Sequence, residues 1–119
     1  MFISMLISKV IGDKRQWRQY KARAKQLPPS YRTAVEALER YLMYFGTGGD
    51  GTAIYVDLVD LFEQSAANRT PVRQIVGEDP VEFIETFVLN YPRGQWIVRE
   101  RERLTDAIAR AAEEEAKGA

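Results

Sequence analysis

Hydrophobic positions recur every three or four residues along most of this chain, the spacing that places side chains on one face of an α-helix. The clearest such segment follows Ser30, which we predict as its N-cap, and stops at Gly46, a residue suited to the position after a helix C-terminus. Its apolar positions are Tyr31, Ala34, Val35, Leu38, Leu42 and Phe45. Pro28 and Pro29 separate it from the preceding helix. The two helices should therefore form a long antiparallel hairpin in the N-terminal half.

The N-terminal segment contains two predicted elements. Residues 1–11 are strongly apolar, and we expect them to form a short amphipathic helix that packs on the core or on a partner. A membrane-surface anchor is the alternative reading. The run is about half of the roughly 20 residues that span a bilayer, so no membrane span is predicted. Asp13 and Gln16 have capping-box spacing and predict a second helix of about four turns that reaches Leu27.

The middle of the chain is predicted to hold a linker and three helices. Residues 46–52 are glycine-rich but lack the Lys-Ser/Thr pair of a phosphate-binding loop, so they predict a linker. Residues 53–67 show both strand-like and helix-like spacing, and their length favours a helix. Thr70 and Pro71 predict a short helix that ends at Gly77. Asp79 followed by Pro80 predicts a stronger helix start.

The C-terminal segment predicts a long helix over residues 95–116, with Ile97, Leu104, Ile108 and Ala111 as its buried stripe, and fraying over residues 113–119. The whole chain, 1–119, is predicted as one all-α domain of five or six helices. Leu38, Leu42, Phe83 and Phe87 should be almost fully buried.

Composition removes several classes of chemistry. The chain has neither His nor Cys, so it lacks the commonest general base, the commonest metal ligand and any thiolate nucleophile. We therefore predict no catalytic residue, no metal ligand and no cofactor-binding residue. With no targeting signal recognised, we expect a cytoplasmic protein.

The formal net charge is zero, but charge is sorted along the chain. Residues 1–45 carry nine basic and three acidic side chains, residues 46–92 carry two and eight, and residues 93–119 carry six of each. The side chains of Lys14, Arg18, Lys21 and Lys25 lie within about 60° on a helical wheel. We call these four residues the basic ridge. It is the candidate contact for a partner protein, and nucleic-acid binding is the less favoured alternative.

Paired carboxylates offer an enzymatic alternative. The pairs Glu36/Glu39, Asp57/Asp60 and Glu82/Glu85 each lie one turn apart, as in helical magnesium-dependent nucleotide pyrophosphohydrolases. The first and third pairs should face solvent, which argues against a metal site. Glu78 and Asp79 form a second candidate contact for a partner, although Asp79 also fits a helix cap.

Four stretches of the chain resemble a known family. Residues 11–23, residues 27–32 with the helix end at 41–45, and residues 77–83 are similar to domain-of-unknown-function family 1048, a group of small bacterial proteins. The resemblance implies a small helical protein. Since family members are often encoded beside PadR-like transcription regulators, it also implies a regulatory or partner-binding role, and it brings no catalytic residues.

Together these observations favour a non-enzymatic helical protein-interaction module, accessory to a PadR-like regulator or self-associating as a homodimer. The alternatives are a magnesium-dependent nucleotide pyrophosphohydrolase and a nucleic-acid-binding protein. Reversing the charges of Lys21 and Lys25 is expected to abolish partner capture without unfolding the domain.

Overall fold

The computed structural model describes residues 2–45 and 51–118, with side chains from residue 14 onward. These residues form six α-helices and no strand, which confirms the all-α prediction. The helices are α1 (Phe2–Gln26), α2 (Pro29–Phe45), α3 (Ala53–Ala67), α4 (Val72–Val76), α5 (Pro80–Val88) and α6 (Pro92–Gly118). Gly46 and most of the predicted linker lie outside the described residues.

The first two helices form the predicted antiparallel hairpin. Only Leu27 and Pro28 separate α1 from α2. The end of α1 contacts the start of α2, and an earlier residue of α1, Lys21, contacts a later residue of α2, Glu39. Arg32 of α2 donates to the Lys25 carbonyl of α1 at 3.4 Å. Helix α2 begins at Pro29 rather than after Ser30, so the N-cap prediction for Ser30 is wrong. Proline is well suited to the first turn because the N–H that it lacks would have no partner there.

Helix α1 is continuous where the sequence predicted two helices. The backbone is helical from Phe2 through Gly12 and Asp13 to Gln26, so Asp13 does not cap a new helix. A glycine within a helix costs only about 1 kcal/mol and raises no steric barrier. The predicted packing of residues 1–11 concerns side chains outside the described ones.

Helices α1, α2 and α3 surround the main hydrophobic core. Leu38 and Leu42 are buried as predicted, whereas Phe83 and Phe87 are only half-buried. Their neighbours Ile84 and Val88 are the side chains of α5 that enter the core. The side of α5 that faces the core is thus centred on Ile84 and Val88 rather than on Phe83 and Phe87. Phe83, Phe87 and Tyr91 instead form a ladder of ring contacts beside the core, with centroids 5.7–6.1 Å apart.

The last helix extends beyond the helix on which it packs. Its first turn lies against α5, where Gly94 is buried. Farther along, Leu104 is 64% and Ile108 62% exposed, so the predicted burial is wrong for these residues, whereas Ile97 near the start of α6 is partly buried. The reason is length, because α6 has 27 residues and α5 only nine. The backbone is helical to Gly118, where fraying was expected. No helix of the described residues is long and apolar enough to cross a membrane.

Candidate functional site

The four residues of the basic ridge do not have the same surroundings. The Lys21 ammonium donates to both carboxylate oxygens of Glu39, at 3.0 and 3.2 Å, and lies 5.6 Å from the centre of the Trp17 ring. Lys14, Arg18 and Lys25 are exposed. Lys21 is therefore engaged within the hairpin, and the other three cations remain available to a partner.

Glu39 was predicted to face solvent and is instead 8% exposed. Its partner Lys21 approaches from α1, so the carboxylate is paired rather than isolated. The hydroxyl of Tyr20 lies next to this carboxylate but makes no hydrogen bond of standard geometry. Burial, reinforced by the Glu39 carboxylate, holds the pKa of the Tyr20 phenol well above its ordinary value.

Lys14 and Arg18 border an open groove of about 630 Å³ between α1, the end of α2 and the start of α3. We call it the basic groove. It is lined by Lys14, Trp17, Arg18, Met43, Gly51, Thr52 and Tyr55. Trp17 meets Tyr55 edge to face, with ring centroids 5.2 Å apart, and Met43 is half exposed. The groove thus combines an aromatic and thioether surface with two cations one helical turn apart.

Helix spacing creates this combination. Lys14 and Arg18 are four residues apart on α1, and Trp17 lies between them on the side that faces α3. Both cations were identified from the sequence. Met43 and Tyr55 were missed, since a groove formed by three helices leaves no local spacing pattern.

The acidic side chains of α3 pair with side chains of other parts of the chain. The guanidinium of Arg23 on α1 pairs with Asp60 and donates to Glu63 at 2.5 and 3.1 Å. These hydrogen bonds hold the pKa of Arg23 above its ordinary value. The Tyr91 hydroxyl donates to Asp57. Arg23 was not among the predicted functional residues, because its acidic partners lie on a helix distant in sequence.

In each of the remaining candidate pairs, Glu36/Glu39 and Glu82/Glu85, the two carboxylates have different surroundings. The Tyr41 hydroxyl donates to Glu85 at 3.0 Å, whereas Glu36 and Glu82 are exposed. Within residues 14–45 and 51–118, no three His, Cys, Asp or Glu side chains are grouped so that they could hold a metal ion.

The second candidate contact has a structural role at Asp79. Its carboxylate accepts from the Glu82 backbone N–H at 3.1 Å and caps α5, as the sequence predicted. Glu78 is exposed, and its carbonyl accepts from Arg73 at 3.4 Å. Both border a groove of about 470 Å³ beside Phe83 and Phe87.

Comparison with known proteins gives a family without a described activity. The family model described as a protein of unknown function, DUF1048, matches residues 8–109. No curated protein gives a significant match to the chain.

Proposed function

We propose a function for this chain, which belongs to the DUF1048 family. It is a non-enzymatic helical module of the cytoplasm and binds another protein through the basic groove. The partner that the family resemblance favours is a PadR-like transcription regulator. The observation that carries the proposal is the groove itself, in which Lys14 and Arg18 flank the half-buried Trp17 beside the exposed Met43.

The groove has the chemistry of a protein-binding surface. Tryptophan and arginine are enriched among the residues that dominate binding energy at interfaces, and methionine adapts its shape to an apolar side chain. Two cations at the edge would attract acidic residues beside that apolar side chain. We therefore propose that the bound segment presents an apolar anchor flanked by Asp or Glu.

Catalysis is less favoured because at least one carboxylate of each candidate pair already has a partner, including Glu85, which accepts from Tyr41. Asp57 accepts from Tyr91, Asp60 pairs with Arg23, and Glu39 pairs with Lys21. A magnesium ion at any of these positions would have to displace a hydrogen-bonded or ionic partner. Nucleic-acid binding is also less favoured, since pairing with Glu39 leaves three rather than four ridge cations for phosphate contacts.

The test is a calorimetric titration of the chain with a PadR-like transcription regulator. Lys14→Glu/Arg18→Glu should weaken binding about tenfold or more, equivalent to roughly 1.4 kcal/mol. Arg15→Glu/Arg40→Glu is the matched control, because it makes the same change in net charge at two exposed positions outside both the groove and the basic ridge. It should bind within about twofold of the native chain.

Four results would contradict the proposal. Equal loss in both variants would show a general charge effect, and absence of binding by the native chain would remove the regulator as partner. Sequence-specific DNA binding by the native chain alone, lost in the groove variant, would favour the nucleic-acid alternative. Magnesium-dependent nucleotide hydrolysis lost in Asp57→Asn would favour the enzyme.

A further inference from the structure

Helix α6 carries an apolar face that lies largely outside the contact with α5. Positions at alternating spacings of three and four residues form this face: Ile97, Arg101, Leu104, Ile108, Ala111 and Glu115. We call it the α6 face. Leu104 and Ile108, at its centre, are more than 60% exposed. Large side chains exposed side by side commonly mark an interface.

The apolar centre of this face can pack against itself in an antiparallel pair of α6 helices. In two antiparallel α6 helices whose two-fold axis passes beside Asp106, Leu104 lies level with Ile108 of the other copy. On the same alignment Arg101 lies level with Ala111, and Ile97 lies level with Glu115. An isologous contact requires this kind of self-complementarity, in which each residue meets a counterpart that meets it in return.

The distribution of charge along α6 also favours an antiparallel arrangement of the two helices. Residues 92–103 carry four basic and two acidic side chains, and residues 104–118 carry two basic and four acidic ones. An antiparallel pair brings the positive half of each helix against the negative half of the other. Arg101 then lies within about one helical turn of Glu115 on the second copy. A parallel pair would place like charges together, which is unfavourable.

The surface beside the α6 face can receive the end of the second helix. A groove of about 410 Å³ between α5 and α6 includes Ile97, Arg101, Val81 and Leu89 among its lining residues. Val81 and Leu89 are each nearly half exposed. In the antiparallel alignment the C-terminal turn of the other α6 reaches this groove.

We infer that the chain forms a homodimer through antiparallel packing of two α6 helices centred beside Leu104 and Ile108. The inference is independent of the proposed function, because no residue of α6 lines the basic groove. A dimer would present two basic grooves to a partner. Binding of the regulator and the mass of the chain alone are separate measurements, so either proposal can fail without the other.

Sedimentation equilibrium of the full chain tests the dimer. The native chain should have twice its monomer mass of 13.6 kDa. Leu104→Glu/Ile108→Glu should raise the dimer dissociation constant roughly 100-fold or more, because it places like charges in the contact. Both residues are exposed in the monomer, so circular dichroism should show a folded protein. Ala109→Glu, on another side of α6, is the control and should stay dimeric.

A charge exchange tests the direction of the two helices. Arg101→Glu and Glu115→Arg should each weaken the dimer about tenfold. The double variant should recover native association, because the exchanged charges would again lie opposite each other between copies. The two positions are about 21 Å apart within one helix and cannot pair there.

Engineered cysteines give a third measurement, since the native chain has none. Arg101→Cys combined with Ala111→Cys should form disulfide-linked dimers under mild oxidation. Ala111→Cys alone should not, because these positions on two antiparallel copies lie about 15 Å apart along the helix axis. A monomeric native chain at roughly 100 µM, an unaffected Leu104→Glu/Ile108→Glu variant, or efficient crosslinking of Ala111→Cys alone would overturn the inference.

Discussion

Lys21 on α1 and Glu39 on α2 form an ion pair across the helical hairpin, with the ammonium 3.0 Å from the nearer carboxylate oxygen. The Glu39 side chain is 11% exposed, whereas the Lys21 side chain is 39% exposed. The carboxylate therefore depends on the lysine more than the lysine depends on the carboxylate. An unpaired charge at the position of Glu39 would be costly.

Lys21→Glu should consequently lower the free energy of unfolding by about 2–3 kcal/mol, because it places a second carboxylate against Glu39. Lys25→Glu, at an exposed position of the same helix, should change it by less than about 0.5 kcal/mol. Urea unfolding measures both. From the sequence, reversing both charges was expected to leave the domain folded; the ion pair indicates that Lys21→Glu nevertheless lowers its stability. Equal stability of the two variants would contradict the importance of the pair.

Leu38→Ala should lower the free energy of unfolding by about 2–5 kcal/mol, because Leu38 is 6% exposed within the hydrophobic core. Phe83→Ala removes a larger side chain, but one that is only half-buried beside the core. It should cost less than Phe→Ala at a fully buried position, for which about 3–5 kcal/mol is typical. Thermal and urea unfolding would check this. An unchanged Leu38→Ala midpoint would contradict the core assignment.

Tyr20→Phe should leave stability at pH 7 unchanged or raise it by up to about 1 kcal/mol, because the buried hydroxyl makes no hydrogen bond of standard geometry. The pKa of this phenol is raised in the folded chain, chiefly by burial. A raised pKa favours the protonated folded state, so this contribution is complete below about pH 10 and decreases as pH rises toward the folded pKa.

Urea titrations at pH 7 to 11 test this dependence on pH. The native chain should lose more stability above about pH 10 than Tyr20→Phe does. Tyr44→Phe, at a position that is 81% exposed, is the matched control for removing a tyrosine hydroxyl. If Tyr20→Phe lowers the free energy of unfolding at pH 7 by more than about 1 kcal/mol, the hydroxyl makes a stabilising hydrogen bond and the prediction is wrong.

Gly94→Ala should destabilise the junction between α5 and α6. A methyl group at this position would lie 2.6 Å from the carbonyl carbon of Val88 and 2.8 Å from its Cγ1. We expect a cost of about 3 kcal/mol, since backbone rather than a flexible side chain would have to move. Gly118→Ala, where nothing lies within 4 Å, should change stability by less than about 0.5 kcal/mol. Thermal unfolding compares the two variants, and equal midpoints would contradict the predicted clash.

The sequence determined the elements that depend on local interactions. Apolar spacing in α2 and α3, the proline after Asp79 and the glycine after α4 act within a few residues, so they predicted helix type and several helix ends. Local signals can also be misleading, because a capping pattern does not by itself end a helix. Asp13 has the spacing of a cap, but nothing at Gly12 forces the helix to end.

Tertiary structure decided the partner of each charged and apolar face. Glu39 was expected in solvent because its own helix places it away from the apolar stripe, yet Lys21 from α1 makes its burial favourable. Arg23 meets Asp60 and Glu63 from nearly 40 residues away. The stripe of α6 is apolar by sequence and exposed because α5 ends early. Spacing along one helix gives the direction of a side chain, and only the arrangement of the other helices determines what it meets there.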